Sequence, residues 1–160
     1  MSIVYNPRYN MGLFGLEKLH PFDVKKFERA WKLLQSKLGP QLRTWHVDVD
    51  RPVTDEELLS IHTREHLARM RDPAALAKAF EVPAIELVPV SMIETGFLTP
   101  MRWAVRGSVI AARQALQHGV AVNLGGGVSS CEAGPCRRVL PVFGHCLNRR
   151  TIEVGWDIGR

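Results

Sequence analysis

Three short strand-like runs, separated by helical patterns, constrain the fold of this sequence most strongly. They are "IVYN" (3–6), "TWHVDVD" (44–50) and "VAVNLGGG" (120–127), the last of them almost fully apolar up to its glycine turn. Buried parallel strands are typically short apolar runs, and strands that alternate with helices form α/β units. The pattern predicts an α/β domain with a parallel sheet, in which the third run is a buried strand. Three strands are few for such a sheet, so we expect the fold to be incomplete.

Helical spacing of apolar residues fills the segments between these runs. It predicts helices over 20–39, 54–62, 63–72, 73–80 and most of 87–119. Thr54 with Glu57 three residues later forms a capping box. Gly39-Pro40 predicts a stop for the first helix, and the last is predicted to break near Pro100 and to end at Gly119.

Composition and charge exclude several classes of function. The net charge of +5 is spread over 160 residues without a run of five or six like charges, so no nucleic-acid partner is expected. No apolar run reaches the roughly 18 residues of a membrane span, and the first residues lack a signal-peptide pattern. We therefore expect no membrane partner, a cytoplasmic location and reduced thiols.

Two groups of metal-ligand residue types carry weak metal-binding signals. Cys131, Cys136 and Cys146, with a histidine before the last, are spaced C-x4-C-x8-H-C and lack the paired C-x2-C knuckles of structural zinc sites. A small zinc-binding protein is therefore the weakest alternative. His62 and His66 share a helical face at ligand spacing, but no third ligand accompanies them, so a surface or capping role is expected.

Several motifs together resemble one protein family. They are "IVYNPRYN" (3–10), "GLEKLHPFD" (15–23), "EELLSIHTREHL" (56–67) and "AVNLGGG" (121–127) after a helix ending in "ALQHG" (115–119). This set resembles the N-terminal part of the zinc-dependent histone deacetylases, and within them the class IV branch and its bacterial relatives. The resemblance covers residues 3–127 of this chain and only the first part of a typical family member.

The resemblance implies an arginase-like α/β fold whose active-site loops lie at the carboxyl ends of parallel strands. It implies hydrolysis of acyl-lysine amides, in proteins or in small acyl amides, by a water that zinc activates. It places His20, Pro21 and Phe22 at the rim of the substrate channel and Gly125, Gly126 and Gly127 at the floor of the active site. Without the resemblance, His20, Pro21 and Phe22 are equally compatible with the start of a helix. The three glycines are then equally compatible with a tight turn that has no functional role.

The chain departs from the family directly after Gly127. In the family the glycine turn is followed by Phe-His-His-Ala, whereas Ser129 and Ser130 occupy the positions of the two histidines here. A serine hydroxyl does not titrate near neutral pH, so it cannot replace an imidazole in acid–base catalysis. The Asp-x-His zinc motif is also missing downstream, since Asp157 has no histidine after it. We expect no intact catalytic residues, no metal site and no zinc in this chain.

A shift of reading frame explains the departure. Each of residues 128–146 can be encoded by a few synonymous codons. With a suitable choice among these codons, reading the nucleotides one position later gives Phe-His-His-Ala-Lys-Pro-Gly-Arg-Ala-Glu-Gly-Phe-Cys-Leu-Phe-Ser-Asp-Ile-Ala. This is the continuation typical of the family, and the observed residues fix most first and third bases of the shifted codons. We infer a one-nucleotide frameshift in the glycine codons 125–127. Residues 1–127 then form the N-terminal part of a deacetylase-like domain, and 128–160 are an out-of-frame, irregular tail.

Two functional interpretations follow. The first is an inactive, truncated fragment of a zinc-dependent deacetylase-like amidohydrolase. The second is a non-enzymatic binding or interaction module built on the retained N-terminal half of the fold. A sheet that lacks strands exposes apolar edges. Under either interpretation, the protein is therefore expected to be prone to self-association through those edges.

Overall fold

The computed structural model of the protein describes residues 1–12, 15, 23 and 25–125. In this part of the chain, helices accompany a three-stranded parallel sheet, an arrangement compatible with the predicted α/β class. The strands are β1 (Ser2–Val4), β2 (His46–Val47) and β3 (Ala121–Asn123), in the spatial order β2-β1-β3. Ile3 pairs with residues of both neighbouring strands, so β1 is the central strand.

β1 ends where proline removes a backbone donor. All three residues of the strand are buried, as expected for a strand with neighbours on both sides. Pro7 has no N–H to continue the ladder, and it opens a short 3-10 turn, Pro7–Tyr9, instead. The Asn6 side chain caps this turn by accepting a hydrogen bond from the Arg8 N–H at 2.8 Å. The chain therefore turns sharply at the carboxyl end of the central strand.

The predicted strand over 44–50 is largely wrong. After helix α1 (Lys26–Leu38), the chain forms a second helix, α2 (Pro40–Trp45), and β2 keeps only two residues. Gly39 ends α1 with a positive φ of 52°, and Pro40 then stands at the first position of α2, where its fixed φ suits a helix. The Gly39-Pro40 pair thus ends one helix and begins the next.

Side-chain caps begin three of the short helices that follow. These helices are α3 (Asp55–Leu59), α4 (Arg64–Arg69) and α5 (Pro73–Phe80), capped by Thr54, Thr63 and Asp72. The predicted capping box is confirmed: the Glu57 N–H donates to the Thr54 hydroxyl at 3.2 Å, and the Thr54 N–H donates to the Glu57 carboxylate at 2.8 Å. A 3-10 turn, Pro83–Leu87, and helix α6 (Val90–Ile93) lead to the last helix.

The last helix, α7 (Thr99–His118), is preceded by a wide π-type turn, Glu94–Leu98, without an interruption of the helical path. The predicted break near Pro100 is therefore a change in hydrogen bonding instead. Pro100 has no N–H to donate to the Gly96 carbonyl four residues earlier. The Gly12 N–H donates to that carbonyl at 2.9 Å, so the loop after β1 is attached to the helix at this point.

The carboxyl end of α7 agrees with the prediction. Gly119 ends the helix with a φ of 84°, and its N–H donates to the Ala115 carbonyl at 2.8 Å. The helix has 20 residues and is the longest of those described. Within the described part of the chain, no helix is both long and apolar enough for a membrane crossing.

The core consists of two apolar clusters that α7 connects. The first lies among the helices and includes Val53, Leu58, Leu67, Met70, Leu76, Ala77, Val82, Ile85, Val88, Ile93, Phe97, Leu98 and Val105. The second lies between α7 and the sheet and includes Val4, Tyr5, Tyr9, Val49, Trp103 and Ala111. Burial of these side chains supplies the main driving force for folding. Because α7 contributes to both clusters, its position fixes the sheet relative to the smaller helices.

β3 is not the buried strand that its apolar sequence predicts. Val122 is 43% exposed, and its two neighbours in the strand are half-buried. In the described part of the chain β3 pairs with β1 alone, so its other side is an open sheet edge. Leu116, near the end of α7, and Val120, the residue before β3, are also exposed. We call these three residues, Leu116, Val120 and Val122, the apolar edge.

Candidate functional site

Polar side chains follow the carboxyl ends of the parallel strands, the edge where ligands of open α/β sheets bind. Asn6 follows β1, Asp48 follows β2, and Asn123 is the last residue of β3. The Asn6 side-chain N–H donates to the Asp48 carboxylate at 2.8 Å. The same carboxylate oxygen accepts from the Val49 N–H at 2.8 Å. These bonds hold the ends of β1 and β2 together.

Asn123 connects the end of β3 to α7. Its side-chain nitrogen donates to the Ala104 carbonyl at 3.1 Å and to the Ser108 hydroxyl at 3.0 Å. Its side-chain oxygen accepts from the Gly125 N–H at 3.2 Å. One carboxamide thus binds the helix on one side and the glycine turn on the other.

Tyr9 fills the space between α7 and the glycine turn. It is fully buried, and its ring contacts the ring of Tyr5 edge-on at 5.8 Å between centroids. A methyl group at Gly107 would overlap the Tyr9 hydroxyl, and a methyl group at Gly125 would overlap the Tyr9 ring carbons. Both positions therefore require glycine, because the backbone approaches the aromatic ring too closely for any side chain.

The Tyr9 hydroxyl is buried and has no hydrogen-bond partner within the described part of the chain. Burial raises the pKa of this phenol, and the nearby charges of Asp48 and Tyr5 raise it further. The hydroxyl is therefore neutral at physiological pH. Tyr9 acts here as a rigid, uncharged packing group.

An arginine clasp, formed by Asp50, Arg51, Glu57 and Arg106, lies beside the end of β2. Arg106 of α7 is 8% exposed, and its guanidinium donates to both carboxylate oxygens of Asp50 at 2.9 Å. Glu57 lies 3.7 Å from Arg106 and accepts two hydrogen bonds from Arg51, at 2.7 and 2.8 Å. The clasp joins the segment after β2 to α3 and α7. Hydrogen bonding from Arg106 lowers the pKa of Asp50 from 3.8 to about 2.

This pKa shift predicts a pH dependence of stability. A carboxylate whose pKa is lowered by folding stabilises the fold above its ordinary pKa, and the contribution is lost as the pH falls through the lowered value. We expect the free energy of unfolding to fall between about pH 4 and pH 2, and Arg106→Met to remove part of that fall. Urea unfolding of both chains at a series of pH values measures it. Identical pH profiles for the two chains would contradict the assignment.

Most of the predicted site residues lie outside the described residues. These are His20, Pro21, Phe22, Gly126, Gly127, Ser129 and Ser130, together with the three cysteines of the tail. Gly125 is described, is buried, and approaches the Tyr9 ring. This contact explains the glycine by packing. A role for Gly125 at an active-site floor stays a prediction.

The shared helical face predicted for His62 and His66 is wrong. α3 ends at Leu59 and α4 begins at Arg64, so the two histidines lie on either side of a junction between helices. Their rings stack at 4.9 Å between centroids with 19° between the planes. The His66 backbone N–H donates to the Thr63 hydroxyl at 3.2 Å, so Thr63 caps α4, and the predicted surface or capping role of the two histidine side chains stays a prediction.

A protein zinc site needs at least three ligating side chains close together. In the described part of the chain, no three histidine, cysteine, aspartate or glutamate side chains lie together in a group that could hold a metal ion. The described residues therefore do not fit a zinc centre. We derive no catalytic step through zinc for this part of the chain.

Comparison with curated proteins finds relatives of this chain. The sequence is similar to histone deacetylase 2 of Arabidopsis thaliana, with 32% identity over 133 residues. The match covers 83% of this chain and 34% of the plant protein, so the chain spans about a third of the length of this curated relative. No family model matches the sequence, and no solved structure matches it. The similarity supports a histone-deacetylase-like family, as the motifs of the sequence indicate.

Proposed function

We propose that this chain is the N-terminal portion of a zinc-dependent histone deacetylase-like amidohydrolase, related to the class IV branch and built on an arginase-like fold. The observation that carries the proposal is the 133-residue match to a plant histone deacetylase. The parallel α/β sheet is compatible with such a fold. The match also favours this proposal over a non-enzymatic interaction module.

The proposed ancestral reaction is the hydrolysis of acyl-lysine amides, in proteins or in small acyl amides. In such enzymes zinc supplies a Lewis acid and lowers the pKa of its water. In this chain Ser129 and Ser130 occupy the positions proposed for the proton-transferring histidines. Because a serine hydroxyl does not titrate near pH 7, the chain lacks the acid–base group that the reaction needs.

The proposed cause of this loss is a one-nucleotide frameshift in the codons of Gly125, Gly126 and Gly127. The support is the translation of the shifted codons, which restores Phe-His-His-Ala directly after the turn and Asp-Ile-Ala at the end of the same stretch. On this proposal residues 1–127 are the domain portion and 128–160 are the out-of-frame tail. The nucleotides of the tail were then selected to encode a protein in the other reading frame. The residues of the tail itself were not selected as a protein sequence.

The remaining parts of the proposal concern partners and location. A cytoplasmic protein without nucleic-acid or membrane partners is proposed from the composition of the chain. The apolar edge and the open side of β3 support self-association, since an unpaired strand beside exposed apolar residues can pair with another copy.

A deacetylase assay tests the predicted loss of activity. We expect the purified 160-residue chain with added Zn²⁺ to hydrolyse an acetyl-lysine peptide no faster than the protein-free buffer. A chelator such as EDTA provides the control, because a genuine zinc-dependent activity disappears with it. Turnover that depends on zinc and is abolished by the chelator would contradict the prediction.

A further inference from the structure

We propose that Asn123 and Tyr9 are positioning residues that set the path of the chain as it leaves β3. The proposal rests on the proposed function, in which the turn after β3 precedes the positions of the family's histidine pair, where this chain has Ser129 and Ser130. Neither residue is assigned a role by the sequence motifs. Both contact Gly125, the last residue of the described part of the chain.

Asn123 determines the first step of the turn. Its side-chain oxygen accepts from the N–H of Gly125 two residues later, an arrangement in which an asparagine side chain replaces a backbone carbonyl in a turn. The other end of the carboxamide donates to Ala104 and Ser108 of α7. Because α7 anchors the side chain, the direction of the turn is set relative to the helix as well as to the sheet.

The last ladder bond of the strand shows why this contact matters. The Leu124 N–H donates to the Val4 carbonyl at 3.0 Å, and this bond holds the chain to β1. One residue later, the hydrogen bond of Gly125 is to the Asn123 side chain. The side chain therefore holds the chain for one residue beyond its bond to β1.

Tyr9 limits the turn from the opposite side. Its ring carbons lie against Gly125, and its hydroxyl lies against Gly107. The side-chain oxygen of Asn123 is 3.0 Å from the point that a Gly107 Cβ would occupy, so both positioning residues meet α7 at the same place. The turn is thus enclosed between a rigid aromatic ring and an anchored carboxamide.

Amide hydrogen exchange of the full 160-residue chain, followed by NMR, tests the role of Asn123. We expect Asn123→Ala to accelerate the exchange of the Gly125 amide about tenfold relative to that of Leu124, because only the turn loses its acceptor. Asn123→Ser keeps a side-chain oxygen that can accept, less strongly, from the N–H two residues later. Gly125 is therefore expected to exchange more slowly in the serine variant than in the alanine variant and faster than in the parent chain, and the comparison with the parent also serves if the alanine variant does not fold. Equal acceleration at both amides in the alanine variant, or Gly125 exchange that is unchanged in the alanine or the serine variant, would overturn the proposal.

The role of Tyr9 is tested by the same measurement. Tyr9→Leu removes the ring and is expected to accelerate Gly125 exchange about threefold relative to Leu124. Tyr9→Phe keeps the ring and is expected to leave the ratio unchanged. The same ratio in both variants would show that the ring does not position the turn. Hydrogen exchange does not depend on catalysis. The positioning role of Asn123 and Tyr9 can therefore be disproved while the proposed function stands, and the proposed function can be disproved while the positioning role stands.

Discussion

Replacing Gly107 by alanine is expected to destabilise the fold by about 3 kcal/mol, because the added methyl group would overlap the Tyr9 hydroxyl. Tyr9 is fully buried, so its ring cannot move aside into solvent. The side-chain oxygen of Asn123, 3.0 Å from the same point, closes the other direction. Urea unfolding followed by tryptophan fluorescence measures the loss against the parent chain.

Three further variants identify the cause of that loss. Gly12→Ala is the matched control, since no atom of the described residues lies within 4 Å of its Cβ position, and it is expected to change stability by less than about 0.5 kcal/mol. Tyr9→Phe removes the overlapping atom at Gly107 and is expected to recover at least half of the loss in a double variant. It is not expected to rescue Gly125→Ala, where the overlap is with ring carbons. Equal behaviour of the two double variants would contradict this packing.

Replacing Arg106 by methionine is expected to destabilise the fold by about 2 kcal/mol. The methionine preserves most of the apolar volume but removes the hydrogen bonds to Asp50 and the ion pair with Glu57. The loss is smaller than for a fully buried ion pair, because the Asp50 side chain is 56% exposed and water can solvate it. Urea unfolding at neutral pH measures the change.

Arg51→Met is the matched control for burial. Arg51 also makes two hydrogen bonds to a carboxylate of the arginine clasp, but its side chain is 44% exposed. A surface ion pair of this kind contributes less than about 1 kcal/mol. The account therefore predicts a clear difference between the two variants. Similar losses would show that the burial of Arg106 does not determine its contribution.

Local signals of the sequence predict the described fold well where a single interaction decides the structure. The capping box at Thr54 forms as predicted, because both of its hydrogen bonds are encoded by residues three positions apart. Gly119 ends α7 because only a residue without Cβ adopts its positive φ readily. The α/β class follows from the alternation of strands and helices, which needs no knowledge of distant contacts.

The wrong predictions concern two kinds of position. In one, a sequence signal is compatible with two local structures, and in the other, neighbours in the tertiary structure determine whether a residue is buried. Pro40 marks the end of one helix, but it is equally suited to the first turn of another. That second helix, α2, takes the first two residues of the predicted strand, and only the next two form β2. The apolar residues of β3 suggest burial, yet burial requires neighbours on both sides, and Val122 is 43% exposed beside the open edge. The apolar pattern cannot show whether those neighbours are present.

The positioning residues could not be found from sequence periodicity. Tyr9 and Gly107 are far apart in the chain and meet only because α7 packs across β1 and β3. Asn123 carried a weak signal, since a polar residue at the end of an apolar strand before a glycine turn is typical of a side-chain turn contact. Arg106 carried none, because a single arginine in an amphipathic helix is usually a surface residue.

The nucleotide sequence of the gene, from the codon of Asn123 past the codon of Arg160, tests the central claim most directly. The account predicts one extra G within the codons of Gly125, Gly126 and Gly127. Reading the following codons one nucleotide later should then give Phe-His-His-Ala and a continuous deacetylase-like sequence with an Asp-x-His motif. The account would be contradicted if the codons for residues 128–146 gave an early stop or unrelated residues in that frame. Residues 128–160 would then be a genuine part of the protein that selection has maintained.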